Sequence, residues 1–412
     1  MLLGAVPARA LDFNFTISGS PPQSVVDGLY AGAELWSGVL IDDVSLNINV
    51  TWGSIAGGQL GQATVSRQTT YYTAYRDALI ADRTSAVDLA AAGSLPAGSS
   101  FPVYINLTAD NPNGSASLTP YLDNDGGNNN TFVRIATANA KALGIYAGNA
   151  SASDGTLALN SDIVWDFDPG DGISSGAYDF TAVVAHEIGH LLGFTSGVDA
   201  LDAYSPPNGG PFLANQFTWV SGLDLFRFSA DSVAAGGIDW TADARVKYFS
   251  IDGGVTALAG FSTGKTHGDG YGAGHWAANE PSLLGPTLNA GQAEVPSVMD
   301  LRAINAIGWD LPDLMGDANL DGVVNVLDLS TLGQNWGLPG ATWMQGDFTR
   351  DGIVDVLDLS ILAANWNVSV AGGEVSFAEA LAQVSGGGAI PEPASLLLLV
   401  GGFCGLLRRA RR

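Results

Sequence analysis

The chain of 412 residues contains one cysteine, Cys404, close to its C-terminal end. No disulfide can staple the preceding residues, and cysteine gives no clue to the redox compartment. Basic residues are also scarce: 16 Lys and Arg stand against 41 Asp and Glu, for a formal charge of −25. Such acidity disfavours binding to nucleic acid or to anionic membrane surfaces. No long apolar run is present either. The stretch Ala394–Leu407 has only fourteen residues, short of the roughly 20 that a stable membrane helix needs. Histidine is scarce too, with four residues in all.

Two of those four lie in His186-Glu187-Ile188-Gly189-His190, within TAVVAHEIGHLLGF. The apolar residues Val183, Val184, Ile188, Leu191 and Leu192 predict a buried helix over Thr181–Phe194, with Asp179 as N-cap and Gly193 as a left-handed stop. Histidines four apart on a helix point the same way, so both imidazoles can share one Zn²⁺. Glu187 between them is placed to take a proton from water beside the metal. A metal-free core helix would have to bury two histidines and a glutamate without a partner, which is costly.

The extended form HExxHxxG resembles the metzincin clan of zinc proteases. In the commonest metzincins a third ligand follows the glycine by three residues, but that position here is Ser196, a poor zinc ligand. The residues themselves leave Asp199, His267, His275 and Glu280 as candidates. Pro281 and the glycines before Glu280 argue against the second helix that a glutamate ligand would require. Asp199 can return to the metal or orient a loop, and both histidines fall in the glycine-rich THGDGYGAGHWAANEP. The later segment PSVMDLRAINAIGWDL contains Met299, which resembles the methionine turn of metzincins, followed by a terminal helix ending at Trp309. Leishmanolysin-type metzincins insert a long segment before the third histidine. That resemblance implies His275 as the third ligand, with Asp199 and His267 as alternatives, and an α+β zincin fold for residues 11–312. It also implies peptide or protein substrates.

Within that region Ser45–Trp52, Phe101–Leu107 and Asp162–Phe167 are predicted as strands, and Ser24–Ile41 and Thr131–Leu143 as helices. Leu122–Asn130, LDNDGGNNN, is rich in oxygen side chains and could bind Ca²⁺, but its spacing matches no EF-type loop, and a solvated turn is the leading expectation.

After Trp309 a thirty-residue unit repeats. Asp317, Asn319, Asp321, Asn325 and Asp328 recur as Asp347, Thr349, Asp351, Asp355 and Asp358, with Gly322 and Gly352 at the sharp turn. These are loop positions 1, 3, 5, 9 and 12 of an EF-type calcium site; position 7 would contribute the carbonyls of Val323 and Ile353. Each copy continues into Leu-Asp-Leu-Ser and closes on Asn-Trp. The doubled loop-and-helix unit, residues 313–367, resembles a type I dockerin. That implies a small all-α module, two Ca²⁺ ions and a cohesin-like partner; a calcium-stabilised spacer without cohesin is the alternative.

Residues 1–10 end in Ala-Arg-Ala, like part of a signal peptide, and the glycine-rich 368–389 reads as a linker. Ile390-Pro391-Glu392-Pro393, the apolar stretch and the terminal arginines resemble a PEP-CTERM sorting signal. The resemblance implies processing of residues 390–412 by an exosortase, transient membrane contact, and an exported bacterial protein at the cell surface. The leading expectation is a secreted zinc endopeptidase. A non-catalytic surface or scaffold protein with a zincin-like domain and a zinc hydrolase for smaller substrates are the alternatives.

Overall fold

The computed structural model describes residues 11–311, 315–318, 324–339, 341, 343–349 and 352–367, in two compact units, Met1–Pro312 and Asp313–Arg412. The expected leader, linker and sorting signal lie outside the described residues, as do Asn319, Asp321, Val323 and Asp351. Among the described residues no helix is long and apolar enough to cross a membrane.

The first unit is built on a four-stranded sheet. Strand β1 (Asp12–Ser18) is followed by helix α1 (Gln23–Ser37), β2 (Ser45–Gly53), β3 (Gly61–Val65) and β4 (Arg67–Tyr71). Helices α2 (Tyr72–Asp82) and α3 (Ala86–Ser94) then lead to β5 (Val103–Ile105) and β6 (Tyr121–Asp123). After α4 (Asn128–Thr131), β7 (Phe132–Ala136) and α5 (Thr137–Ala142), β8 (Gly155–Asn160) enters the sheet between β2 and β3. Strands β1, β2 and β8 run parallel, whereas β3 pairs antiparallel with β8 and forms one edge. In β2 alternate residues Leu46, Ile48 and Val50 are buried, as the period-2 pattern requires.

Helix α6 (Phe180–Leu192) packs against β3 and α1. Eleven of its thirteen residues are buried, and the two that are not are His186 and His190. Asp179 caps it by accepting the Ala182 amide at 3.0 Å. Gly193 ends it at φ 121°, a backbone that side chains with a Cβ rarely adopt. The Trp36 indole donates to the Ala185 carbonyl and the Trp309 indole to that of Leu192, each at 2.8 Å. Two aromatic clamps therefore fix the helix along its length.

Several expectations need correction. The helix predicted over Thr131–Leu143 is split: α4 ends at Thr131, Phe132–Ala136 is a strand antiparallel to β4, and only α5 is helical. Phe132, Val133 and Ile135 suit a pleated surface, and the β4 partner outweighs local helix propensity. Phe101–Leu107 narrows to β5, since Leu107 takes φ 63°. From Asp162–Phe167 only β9 (Trp165–Asp166) is extended, paired with β10 (Tyr178–Asp179). The loop Leu122–Asn130 is a solvated turn only in part: Asn124, Asp125, Gly126 and Asn128 are exposed, whereas Asp123, Asn129 and Asn130 are buried.

Beyond α6 come α7 (Val198–Tyr204), α8 (Ala230–Ala235), short strand pairs, and α9 (Val298–Ala306). In the second unit α10 (Val326–Gln334) and α11 (Val356–Ala364) each follow a repeated acidic loop. Leu332, Trp343, Phe348, Val354 and Leu362 form its core.

A buried ion pair joins α5 to the sheet. Lys141 Nζ lies 2.6 Å from Asp154 Oδ2 and 2.8 Å from the Ser45 carbonyl, and the same carboxylate accepts the Asn47 amide. Asp154→Ala leaves a buried ammonium without its partner and should cost about 3–5 kcal/mol. Urea denaturation of the two proteins checks this; a loss below about 1 kcal/mol would contradict it.

Candidate metal centre

His186, His190 and His275 each offer a ring nitrogen, and these atoms all lie within 4.8 Å of one another. His190 Nε2 is 3.1 Å from His186 Nε2 and 3.2 Å from His275 Nε2. The opposite nitrogens are all engaged with main-chain carbonyls: His186 Nδ1 with Leu283 O at 2.7 Å, His190 Nδ1 with Phe194 O at 2.8 Å, His275 Nδ1 with Gly272 O at 3.1 Å. A carbonyl only accepts, so each Nδ1 carries the proton and each Nε2 presents a bare lone pair. Three lone pairs at this separation repel unless a cation lies among them. Two ligands at tetrahedral angles on one Zn²⁺ would stand about 3.4 Å apart, close to the observed spacing. The donor set therefore fits a divalent metal.

Burial and the neighbouring histidines depress the pKa of His190 far below its ordinary value, and burial lowers that of His275 to about 3. Neutral imidazole is the form that binds metal. Glu187 is buried, and desolvation raises its carboxyl, opposed by His186 and by the main-chain amide of Ala63 on β3. A Cβ on Gly61 would sit 3.0 Å from Glu187 Oε1. The bare glycine thus lets β3 lie against the carboxylate. His186, His275, Glu187 and Gly61 line a cleft of about 440 Å³ that also includes Tyr178, Tyr271 and Lys265. Glu294, on the same wall, is pushed up to about 7 by burial and by Asp300 and Asp179.

The other candidates lie elsewhere. The carboxylate of Asp199 accepts the amides of Ala273 at 2.6 Å and Gly274 at 3.1 Å, so it holds the loop that bears His275. One turn later on α7, Asp202 accepts the amides of Thr266 and His267. His267 is not part of the ring cluster, and Glu280 is spent on the Gly260 amide. Ser196 donates to buried Asp224, which also accepts from Gly197, Ser221 and Trp240. Met299 is the second residue of α9, half-buried, rather than part of a turn.

Sequence reasoning missed two positioning residues. Asp300, next to Met299 and fully buried, accepts from Trp276, Ser282, Leu284 and Ser297. It ties α9 to both the His275 loop and the segment whose Leu283 carbonyl orients His186. Arg227, also buried, donates to the carbonyls of Ala273 and Ser262. The acid after Met299 was a visible signal for the first; nothing in the sequence marks the second.

In the other unit, Asp317, Asp328, Asp347 and Asp358 are all at most 1% exposed. Asp328 accepts the amides of Ala318 and Asn325, and Asp358 those of Phe348, Thr349 and Asp355. Asp347 accepts from Gly352 at 2.9 Å, closing the second loop at its turn glycine. Asn325 and Asp355 cap α10 and α11. Ile353 bridges to Pro339, and Val354 to Trp336, so the second loop runs beside the segment that follows α10. Four buried carboxylates in two such loops are calcium-site architecture.

Residues 315–367 match the dockerin type I domain. Dockerins bind calcium and cohesin partners and are typical of extracellular or cell-surface proteins, in agreement with export. No curated protein and no solved structure matches the chain.

Two predictions follow from these geometries. Asp199→Ala frees the Ala273 and Gly274 amides and should weaken Zn²⁺ binding about 10–100-fold, as loss of an orienting partner does. Competition against a chromogenic chelator measures it; unchanged affinity would mean that the His275 loop holds itself. For the dockerin, EDTA should reduce far-UV helical ellipticity of the full chain, and Ca²⁺, but not Zn²⁺, should restore it. An identical spectrum in EDTA would contradict calcium loading.

Proposed function

We propose that residues 11–312 are a zinc-dependent endopeptidase of metzincin-like type, exported and displayed through its C-terminal modules. The observation that carries this reading is the convergence of three bare Nε2 lone pairs beside a buried glutamate in an open cleft. His186, His190 and His275 would hold the ion. Zn²⁺ bound there supplies a Lewis acid that polarises a carbonyl and acidifies water. Glu187 accepts the proton of the attacking water and delivers it to the leaving amine. Its raised proton affinity suits that transfer, and β3 keeps its carboxylate turned to the cleft.

A peptide substrate is favoured by the edge strand. Among the described residues β3 pairs only with β8, and its first residue, Gly61, lines the cleft with Gln59 and Leu60. An extended chain can add to such an edge through main-chain hydrogen bonds. Two Ca²⁺ ions in the dockerin, a cohesin-like partner and exosortase processing of residues 390–412 complete the reading.

Glu187→Gln should retain metal and lose about 10²–10⁴-fold in activity on casein or a fluorogenic peptide. Phenanthroline should abolish the wild-type signal, and zinc should restore it. Full activity in the variant, or none in the zinc-loaded wild type, would overturn the assignment.

A further inference from the structure

The loop Asp123–Asn130 has no part in the histidine cleft or in the dockerin, yet three of its polar side chains are buried: Asp123 at 5% exposure, Asn129 and Asn130 at 0%. Asn129 Nδ2 donates to Asp123 Oδ2 at 2.8 Å, so the amide lies against the carboxylate, while its own Oδ1 is buried and receives no hydrogen bond. Asn130 Nδ2 bridges the carbonyls of Asp123 and Phe101, and its Oδ1 is likewise unmatched. From the facing segment, Asn215 turns a third unmatched Oδ1 onto Gly127, close enough that a Cβ there would overlap it.

Oxygen is therefore in excess and positive charge is missing. Among the described residues no lysine or arginine forms an ion pair with Asp123, Asp125 or Asp110. Burial raises the Asp123 carboxyl, the hydrogen bonds from Asn129 and the Asp125 amide oppose this, and the charges of Asp125 and Asp110 add to the rise. Buried amide oxygens without donors are rare in proteins and call for a partner. A hard cation that takes six to eight oxygens, mixing carboxylate with neutral amide ligands, supplies one. Asp125 is exposed beside the buried group and gives the ion a route from solvent.

We propose that this loop is a calcium site of the first unit, centred on Asp123 and Asn129 and walled by Asn130 and Asn215. It stabilises the junction between β6, α4 and β7 independently of the dockerin and of any catalytic metal. The proposal does not rest on the peptidase reading, since none of its residues belongs to the cleft.

The test uses the full chain with the dockerin disabled by Asp328→Ala and Asp358→Ala. Calorimetric titration with Ca²⁺ should still detect a single ion per chain, and adding Asn129→Leu should abolish it. In the same background Asn129→Asp sets a second carboxylate beside the first. It should tighten Ca²⁺ binding about tenfold and make the melting temperature calcium-dependent, because ligand charge sets affinity in such loops. No calcium bound by the dockerin-disabled chain would overturn the site. So would binding that survives Asn129→Leu, or an Asn129→Asp protein whose affinity and melting temperature do not respond to Ca²⁺. The gain-of-affinity variant decides the question if the leucine variant does not fold.

Discussion

Three nitrogen lone pairs brought within 4.8 Å of one another form the constraint around which the first unit is arranged. Imidazoles crowd in this way only if all three share one tautomer, and that depends on a carbonyl behind each ring. The three carbonyls come from different places. Phe194 follows the Gly193 turn, Gly272 belongs to the loop of His275 itself, and Leu283 lies on the segment held by Asp300. The core helix, the turn that ends it and two irregular loops must all be in place for the lone pairs to converge.

The irregular half of this unit is ordered by carboxylates rather than by sheet ladders. Main-chain amides in glycine-rich loops must find acceptors. Asp199, Asp202, Asp224 and Asp300 each take two or more donors. The acidity of the chain is in this respect structural: a carboxylate can serve several amides at once, where a neutral side chain serves one or two.

Part of this was legible in the sequence and part was not. The pairing of His186 with His190 follows from helix periodicity alone, and the Asp179 cap and the Gly193 stop from the residue types at the helix ends. The repeated acidic loops and the helices after them follow from spacing that occurs twice. His275 was reached only through resemblance, because a candidate ligand 85 residues from His190 is placed by loops without a period of their own. Strand β7 escaped because Thr131–Leu143 has enough alanine to look helical, while its strand partner lies over sixty residues earlier in β4. Asp123, Asn129 and Asn130 read as solvated because turn chemistry depends on residue type, whereas their burial depends on the facing segment around Asn215. Asp199 kept two readings open, and the structure has it gripping the loop that bears His275.

That grip bears on how the centre is assembled. Two of the rings ride on a helix clamped by Trp36 and Trp309, and the third hangs from a loop fastened to α7 and Arg227, none of which needs an ion. A coordination sphere at these rings would thus be largely preorganised by the fold: an ion would settle the repulsion of three lone pairs in a socket already built, rather than act as the nucleus about which the unit condenses.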